Sequence, residues 1–366
     1  MLFSIIIFII TLLILVIIHE LGHFLVAKKF GIKVEEFGFG IPPRIWGKKI
    51  GETIYSINWL PFGGFVRLMG EDEVDTIKLR NKRPNSKDFR AKSVWQRIAV
   101  VVAGVLMNLI LAWILFYIVI VGQNFRIIYP VAETGVYIAE IEQNFPAQKA
   151  GLQIGEKLIS IDNQTISSID SARNFIKSKN GLPVTLTLTD TDGNHLRRIS
   201  ITPKKLDTGD ILIGVIFSPI PFREYSTISE KVFSGITYSF DLIKLTFAGL
   251  GTLSHDLFYG NFGKVSESVS GPVGMAAITN DILSIGWSAI LPYAWFVGII
   301  SLTLAIFNVL PIPALDGGRL LFLVIEAVTK RRVKENIERI VHQVGFALLL
   351  ALALLVTFSD IRKMLP

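Results

Sequence analysis

The chain has 366 residues, 51% of them hydrophobic and only 18% charged, with a formal net charge of +7. That balance excludes an ordinary soluble globular protein. There is no cysteine, so disulfides and thiolate ligands are excluded and any zinc must be held by His, Asp or Glu. The positive charge is not a nucleic-acid footprint, because it gathers beside long apolar segments, where basic residues set membrane orientation.

Leu2 to Ile18 carries no charge and reads as a membrane span. It runs straight into His19-Glu20-Leu21-Gly22-His23. On a helix, residues four apart share a face, so His19 and His23 form a two-imidazole claw for zinc with the Glu20 carboxylate beside it. Ionisable side chains within a span point to function, since burying them in hydrocarbon is costly. A secretory signal peptide would want a basic n-region and a small-residue cleavage site, and neither is present. Gly22, between the ligands, lets another backbone approach the helix closely.

Three more apolar segments follow: Val94 to Val121, Ala289 to Val309 and about Val341 to Phe358. The basic stretch from Lys28 to Arg97 and the run Lys330-Arg331-Arg332-Val333-Lys334 belong on the cytoplasmic side. The N-terminus, the region from Gly122 to Ser288 and the C-terminus are then extracytoplasmic. Ser229 to Leu253 contains Lys231, Asp241 and Lys244 and reads as an interfacial amphipathic helix. With four spans, the first and third run in the same direction, and their C-terminal halves share a depth.

That depth suggests a third ligand. Asp316 follows Pro311 and Pro313, which break the third apolar segment, and precedes Gly317 and Gly318, which permit a sharp backbone turn. A broken helix at membrane depth is tolerated where it is buried in protein or lines a polar cavity. Asp316 is read either as the third zinc ligand or as a carboxylate capping the helix restart. Two imidazoles and a carboxylate leave a fourth position open, as in a catalytic site, and Glu20 is placed to act as general base.

His19-Glu20-Leu21-Gly22-His23 on the first span, with Asn308, Pro311 and Leu315-Asp316-Gly317 on the third, resembles the site-2 protease family of intramembrane zinc metalloproteases, in its bacterial RseP/RasP-like branch. The likeness extends to Phe37-Gly38-Phe39-Gly40, Pro61-Phe62-Gly63-Gly64-Phe65-Val66-Arg67, Gly104 through Asn108, and Ser270-Gly271-Pro272-Val273-Gly274. The resemblance implies one Zn²⁺ per chain held by His19, His23 and Asp316. It also implies that Asn308 organises the site or holds the substrate backbone. Gly22, Gly38, Gly40, Gly63, Gly64, Asn108 and Pro311 are the further candidates for organising the site or binding substrate. The stretch Gly51 to Arg67 has strand-like alternation. The resemblance makes it a membrane-re-entrant hairpin beside the zinc, and an ordinary cytoplasmic hairpin is the alternative. Asp72 to Lys92 reads as a mobile polar loop.

Residues 127–205 resemble a single PDZ domain of the kind found in bacterial membrane proteases. The strand Val136 to Glu142, the series Ala150-Gly151-Leu152 and Gly155-Glu156, and a hairpin about Asp192-Gly193 carry this likeness. PDZ grooves take a peptide as an added strand. Gly135, Val136, Tyr137 and Ile138 are the candidate groove, although no Gly-Leu-Gly-Phe sequence is present, and a steric size filter is equally open.

The expected architecture is an α-helical polytopic membrane protein with four transmembrane helices, an inserted α+β PDZ domain and a membrane-associated β-hairpin. Its parts are transmembrane helix 1 (1–30), the β region and loop (31–93), transmembrane helix 2 (94–121), the PDZ domain (127–205), the interfacial helix region (226–262), transmembrane helix 3 (289–329) and transmembrane helix 4 (341–360). The expected activity is zinc-dependent intramembrane endoproteolysis in a bacterial cell membrane. Substrates would be single-span membrane proteins already cut outside by an upstream extracytoplasmic protease, such as anti-sigma factors, or signal-peptide remnants. A catalytically silent scaffold would not need Glu20. A metal transporter would need a continuous polar path, which the spans lack.

Overall fold

The computed structural model describes residues 2–71, 86–129, 134–190, 195–206, 210–261, 263–264 and 269–364. Most of the expected polar loop, residues 72–85, and the expected turn at Asp192-Gly193 lie outside them. Two compact units emerge: residues 1–119 with 253–366, and residues 120–252.

In the first unit, α1 (Leu2–Lys29) is continuous and carries the His-Glu-x-x-His motif in its last third. Its many Ile and Val residues are indifferent helix formers in water, but in lipid a helix satisfies every backbone group within its own segment. It stops at Gly31, at φ +66°, where Gly31 N–H bonds Lys28 O and Ile32 N–H bonds Ala27 O. That is the Schellman pattern, and glycine takes the left-handed conformation without a Cβ penalty.

The strands β1 (Val34–Ile50) and β2 (Thr53–Leu68) then form a folded-over antiparallel hairpin. Residues 36–39 pair with 64–67 on one side and with 54–57 on the other, while 44–50 pair with 53–58. Residues 64–67 therefore form one edge. Glu36, 4% exposed, ties the layers: it accepts from Ser56 Oγ at 2.6 Å and from Arg44 at 2.5 and 3.0 Å. Burial works against its charge, but the Ser56 and Arg44 hydrogen bonds hold its carboxyl below the usual range.

The helix α2 (Val94–Gly122) follows and enters the second unit at its end. There β3 (Arg126–Ile128) leads to β4 (Tyr137–Ile141), the short α3 (Pro146–Lys149), β5 (Lys157–Ile161), β6 (Gln164–Thr165) and α4 (Ile169–Ser178). Ser168 and Ser171 close a reciprocal capping box at the start of α4. Next come β7 (Val184–Thr189), β8 (Leu196–Ile201), β9 (Lys204–Lys205), β10 (Ile211–Leu212), β11 (Val215–Ser218) and β12 (Phe222–Glu224). The main sheet runs β11-β4-β5-β7-β8, with β6 on β5, around a core that includes Ile138, Leu158, Ile161, Leu186 and Leu188. This is the PDZ-like insertion. The expected boundary at 205 falls short, because β11 pairs with β4 and completes the sheet. Sequence periodicity reveals a strand but not its distant partner.

The region expected to be an interfacial helix is one long helix, α5 (Ile228–Phe258), which continues back into the first unit. There α6 (Pro272–Ser284), α7 (Ile290–Val309), α8 (Asp316–Thr329) and α9 (Glu335–Met364) complete the chain. The third expected span is thus two helices separated at residues 310–315, as the prolines require. Among the described residues, four helices are long and apolar enough to cross a membrane: Leu2–Lys29, Val94–Gly122, Gly286–Val309 and Asn336–Lys363. Polar contacts tie α1, α6, α7 and α9 together. Ser4 Oγ donates to Asn280 Oδ1 at 3.0 Å, Thr11 Oγ1 meets Tyr293 Oη at 2.6 Å, and Asp360 accepts from Gly271 and Gly274 N–H at the start of α6.

Candidate metal centre

His19 and His23 lie one turn apart on α1, so their imidazoles share a face by helix geometry alone. Their Nε2 atoms are 3.2 Å apart. His23 Nδ1 is 2.8 Å from the carbonyl oxygen of Val100 on α2. A carbonyl only accepts, so Nδ1 carries the proton and Nε2 is left with a lone pair directed at the site.

The third group arrives from far along the chain. Asp316 Oδ2 lies 2.9 Å from His19 Nε2 and 3.1 Å from His23 Nε2. The break brings it there. Ala314 is left-handed, at φ +73°, and Leu315 is the N-cap of α8 without a side-chain cap bond. The Asp316 carboxylate therefore leaves the helix end uncapped and turns to the two imidazoles.

Those residues fit a zinc ion. Three N and O donors converge on one point, and Asp316 Oδ2 is buried without a hydrogen-bond partner despite its two close neighbours. An acceptor in that position is unsatisfied until a cation joins it. The donor set of two His and one carboxylate is that of catalytic zinc. Glu20 joins the group as well, since one ligand atom from each of His19, Glu20 and His23 falls within 4.8 Å of the others.

Glycines make the convergence possible. A Cβ on Gly104 would run into the His23 and His19 rings, and one on Gly22 would collide with the Ala103 carbonyl. The helices α1 and α2 therefore meet backbone to side chain at the metal-facing turn. A Cβ on Gly317 would strike the Leu310 carbonyl. Gly104 sits within the sequence motif, but its contact with the histidines depends on helix pairing and is invisible locally.

The remaining candidate residues divide into two groups. Gly64 lies against the site, where an added Cβ would come within 3.6 Å of Glu20 Cγ and 3.8 Å of Val16. Gly38 gives room to the Phe65 ring, while Gly40 and Gly63 hold positive φ values of +74° and +80°. These two shape the hairpin at a remove from the histidines. Asn108 shares its helix face with Gly104, four residues on, and is 1% exposed with both amide atoms lacking a partner. Its backbone carbonyl accepts from Ser301 Oγ at 2.8 Å, fixing α2 to α7. Asn308 is half-buried near the end of α7, and Pro311 begins the break.

A cavity of about 1120 Å³ reaches Asp316, lined among others by Arg67, Glu71, Arg319, Glu326 and His342. An ion pair joins Arg319 to Glu71, and Arg97 holds Glu326 through its two terminal guanidinium nitrogens at 3.1 and 2.5 Å. Asp316 thus has a polar approach, which hydrolysis needs.

The expected groove residues of the PDZ-like domain are displaced. Val136, Tyr137 and Ile138 are 1–3% exposed, and β4 is an interior strand between β11 and β5, so it has no edge for a peptide. Gly135 precedes it, its N–H bonded to Pro219 O. Among the described residues, the open edge next to β4 belongs to β11. The Ile213-Gly214-Val215 sequence carries a faint signal for this, with Gly214 at φ +79° just before the strand.

The model of peptidase family M50 matches residues 7–352. The chain is 33% identical over 347 residues to a protein named as a zinc metalloprotease of Clostridium perfringens, covering 95% of each chain. It is 30% identical over 431 residues to the zinc metalloprotease RasP of Geobacillus kaustophilus, covering 98% of each. It is 30% identical over 436 residues to the regulator of sigma-W protease RasP of Bacillus subtilis, covering 99% of each. Among solved structures, the PDZ domain of an SdrC-like protein of Listeria innocua is 29% identical over 23% of this chain and 92% of that one, with a TM-score of 0.21. By the match to the family model and to these relatives, and with four apolar helices among its described residues, the chain belongs to peptidase family M50, the site-2 proteases, and is a multi-pass membrane zinc metalloprotease.

Proposed function

We propose that this protein cleaves single-span membrane proteins within the bilayer, using one zinc ion held by His19, His23 and Asp316. The convergence of Asp316 Oδ2 on both imidazole Nε2 atoms, from opposite ends of the sequence, carries this reading. When bound, zinc lowers the pKa of a water toward about 7 and polarises the scissile carbonyl. Glu20 takes the proton of the attacking water and delivers it to the leaving amine. Val100 O fixes the His23 tautomer, and the unpartnered amide of Asn108, together with the Asn308 side chain, is suited to hold the substrate backbone near the reacting carbonyl.

A transmembrane helix hides its carbonyls in its own hydrogen bonds, so it must unwind before attack. The edge at residues 64–67 is suited to receive the unwound chain as an added strand, since Gly64 borders Glu20. The exposed Trp46, Trp59, Ile45 and Ile57 on the hairpin favour a membrane-embedded position. The basic segments favour a cytoplasmic-side position for the histidines and an extracytoplasmic one for the PDZ-like domain. There it would select substrates trimmed by an upstream protease, through the β11 edge or by excluding bulky ectodomains. Anti-sigma factors and signal-peptide remnants are the candidate substrate classes.

Purified protein in detergent is incubated with a single-span peptide whose ectodomain has been removed. Glu20→Gln should lower the cleavage rate by about 10²–10⁴-fold with zinc content unchanged. Asp316→Ala should lose both zinc and activity. Unchanged cleavage by Glu20→Gln, or normal zinc content in Asp316→Ala, would overturn the assignment.

A further inference from the structure

The loop carrying Asp316 is held from an element the metal site does not otherwise use. Ala314, two residues before Asp316, has a positive φ of +73°, a conformation that L-residues with a side chain rarely adopt. Within the break, Ile312 N–H bonds Leu310 O and Leu315 N–H bonds Ile312 O, but Ala314 N–H has no backbone acceptor. It donates instead to His342 Nδ1 on α9, at 2.9 Å. The imidazole also stands against the restart of the helix, since a Cβ on Gly318 would lie 3.2 Å from His342 Cε1. One turn along, α9 has Gly345, where any Cβ would collide with Pro313. The close approach of α9 to the break brings the imidazole within reach of Ala314.

We infer that His342 is a positioning residue for the metal centre: as a neutral hydrogen-bond acceptor it holds the strained Ala314 turn and so fixes Asp316 in place to meet His19 and His23. The inference rests on the proposed ligand set. Because Nδ1 accepts, the proton sits on Nε2, and the ring contributes one lone pair to the backbone and none to the ion. Its effect reaches the metal through the orientation of one carboxylate, as outer partners of metal ligands do. An Asp316 loop without this acceptor would still be tethered to α8 but free to leave the left-handed turn, because Ala314 gains by returning to ordinary φ values.

The test compares His342→Phe, which keeps a ring beside Phe322 but removes the acceptor, with His342→Asn, whose side-chain oxygen restores it near the Nδ1 position. Zinc affinity of the full-length protein in detergent is measured by competition with a chromogenic chelator, and thermal unfolding of the zinc-free protein is followed in parallel. His342→Phe should bind zinc about 10–100-fold more weakly. His342→Asn should stay within about threefold of the parent, and the zinc-free proteins should all melt alike. Parent affinity in His342→Phe, equal weakening in both variants, or a melting shift in zinc-free His342→Phe as large as in its zinc-loaded form would overturn the inference. If the parent chain itself binds no zinc, the ligand assignment fails instead, which separates the two readings.

Discussion

The two units differ in what they leave exposed. The sheet of residues 120–252 encloses Ile138, Leu158, Ile161, Leu186 and Leu188 at 1% exposure or less, the pattern of a domain folded by water. The first unit leaves Leu2, Phe3, Leu348, Leu354 and Phe358 more than 60% exposed while it buries His19, Asn108, Thr279 and Ser301. Lipid tails are as apolar as leucine, so helices in a bilayer gain little by hiding large apolar side chains. Close backbone approach and hydrogen bonds also join them, and both occur where His19, His23 and Asp316 meet. Some of the contacts that hold this unit together therefore also shape the candidate site, beside other ties such as Ser4 to Asn280 and Asp360 to Gly271.

That contrast makes unequal demands on single substitutions. The largest effect should come from Gly104→Leu, since the new side chain would occupy the space of both imidazoles. We expect zinc retention to be lost, read by metal analysis of the purified protein; full zinc content would show that α1 and α2 can separate without dissolving the site. Next is Leu186→Ala in the sheet core, expected to cost about 2–5 kcal/mol through lost burial and a residual cavity. Hydrogen exchange on the whole chain should show faster exchange across β5, β7 and β8 with zinc content unchanged. The smallest effect should come from Leu354→Ala on α9, 64% exposed. In bilayers its stability should change by no more than about 0.5 kcal/mol. A loss like that at Leu186 would mean this face of α9 is covered by protein and not lipid.

Much of the site was legible because it is local. Four-residue spacing on one helix brings His19 and His23 together whatever the rest of the chain does. The prolines at 311 and 313 had to break the third apolar segment. Asp316 was legible as a candidate, but its choice between helix cap and ligand was not, because both use the same backbone turn. The PDZ-like insertion shows the same limit. Its strands are legible from alternation, yet the expected groove residues, Val136 and its neighbours, are interior, and the edge strand β11 lies beyond the expected boundary.

By itself, the sequence determined the membrane character of the chain, its apolar helices, the histidine pair with its neighbouring base, and the broken helix that carries the third carboxylate. These follow from hydropathy, helical period and proline chemistry, each fixed within a few residues. Only the tertiary structure decided that Asp316 points at both imidazoles, that Val100 sets the tautomer of His23, that Gly64 borders Glu20 and that His342 anchors the turn at Ala314. Each of these joins segments tens to hundreds of residues apart, and the distance between such segments is set by how whole helices pack.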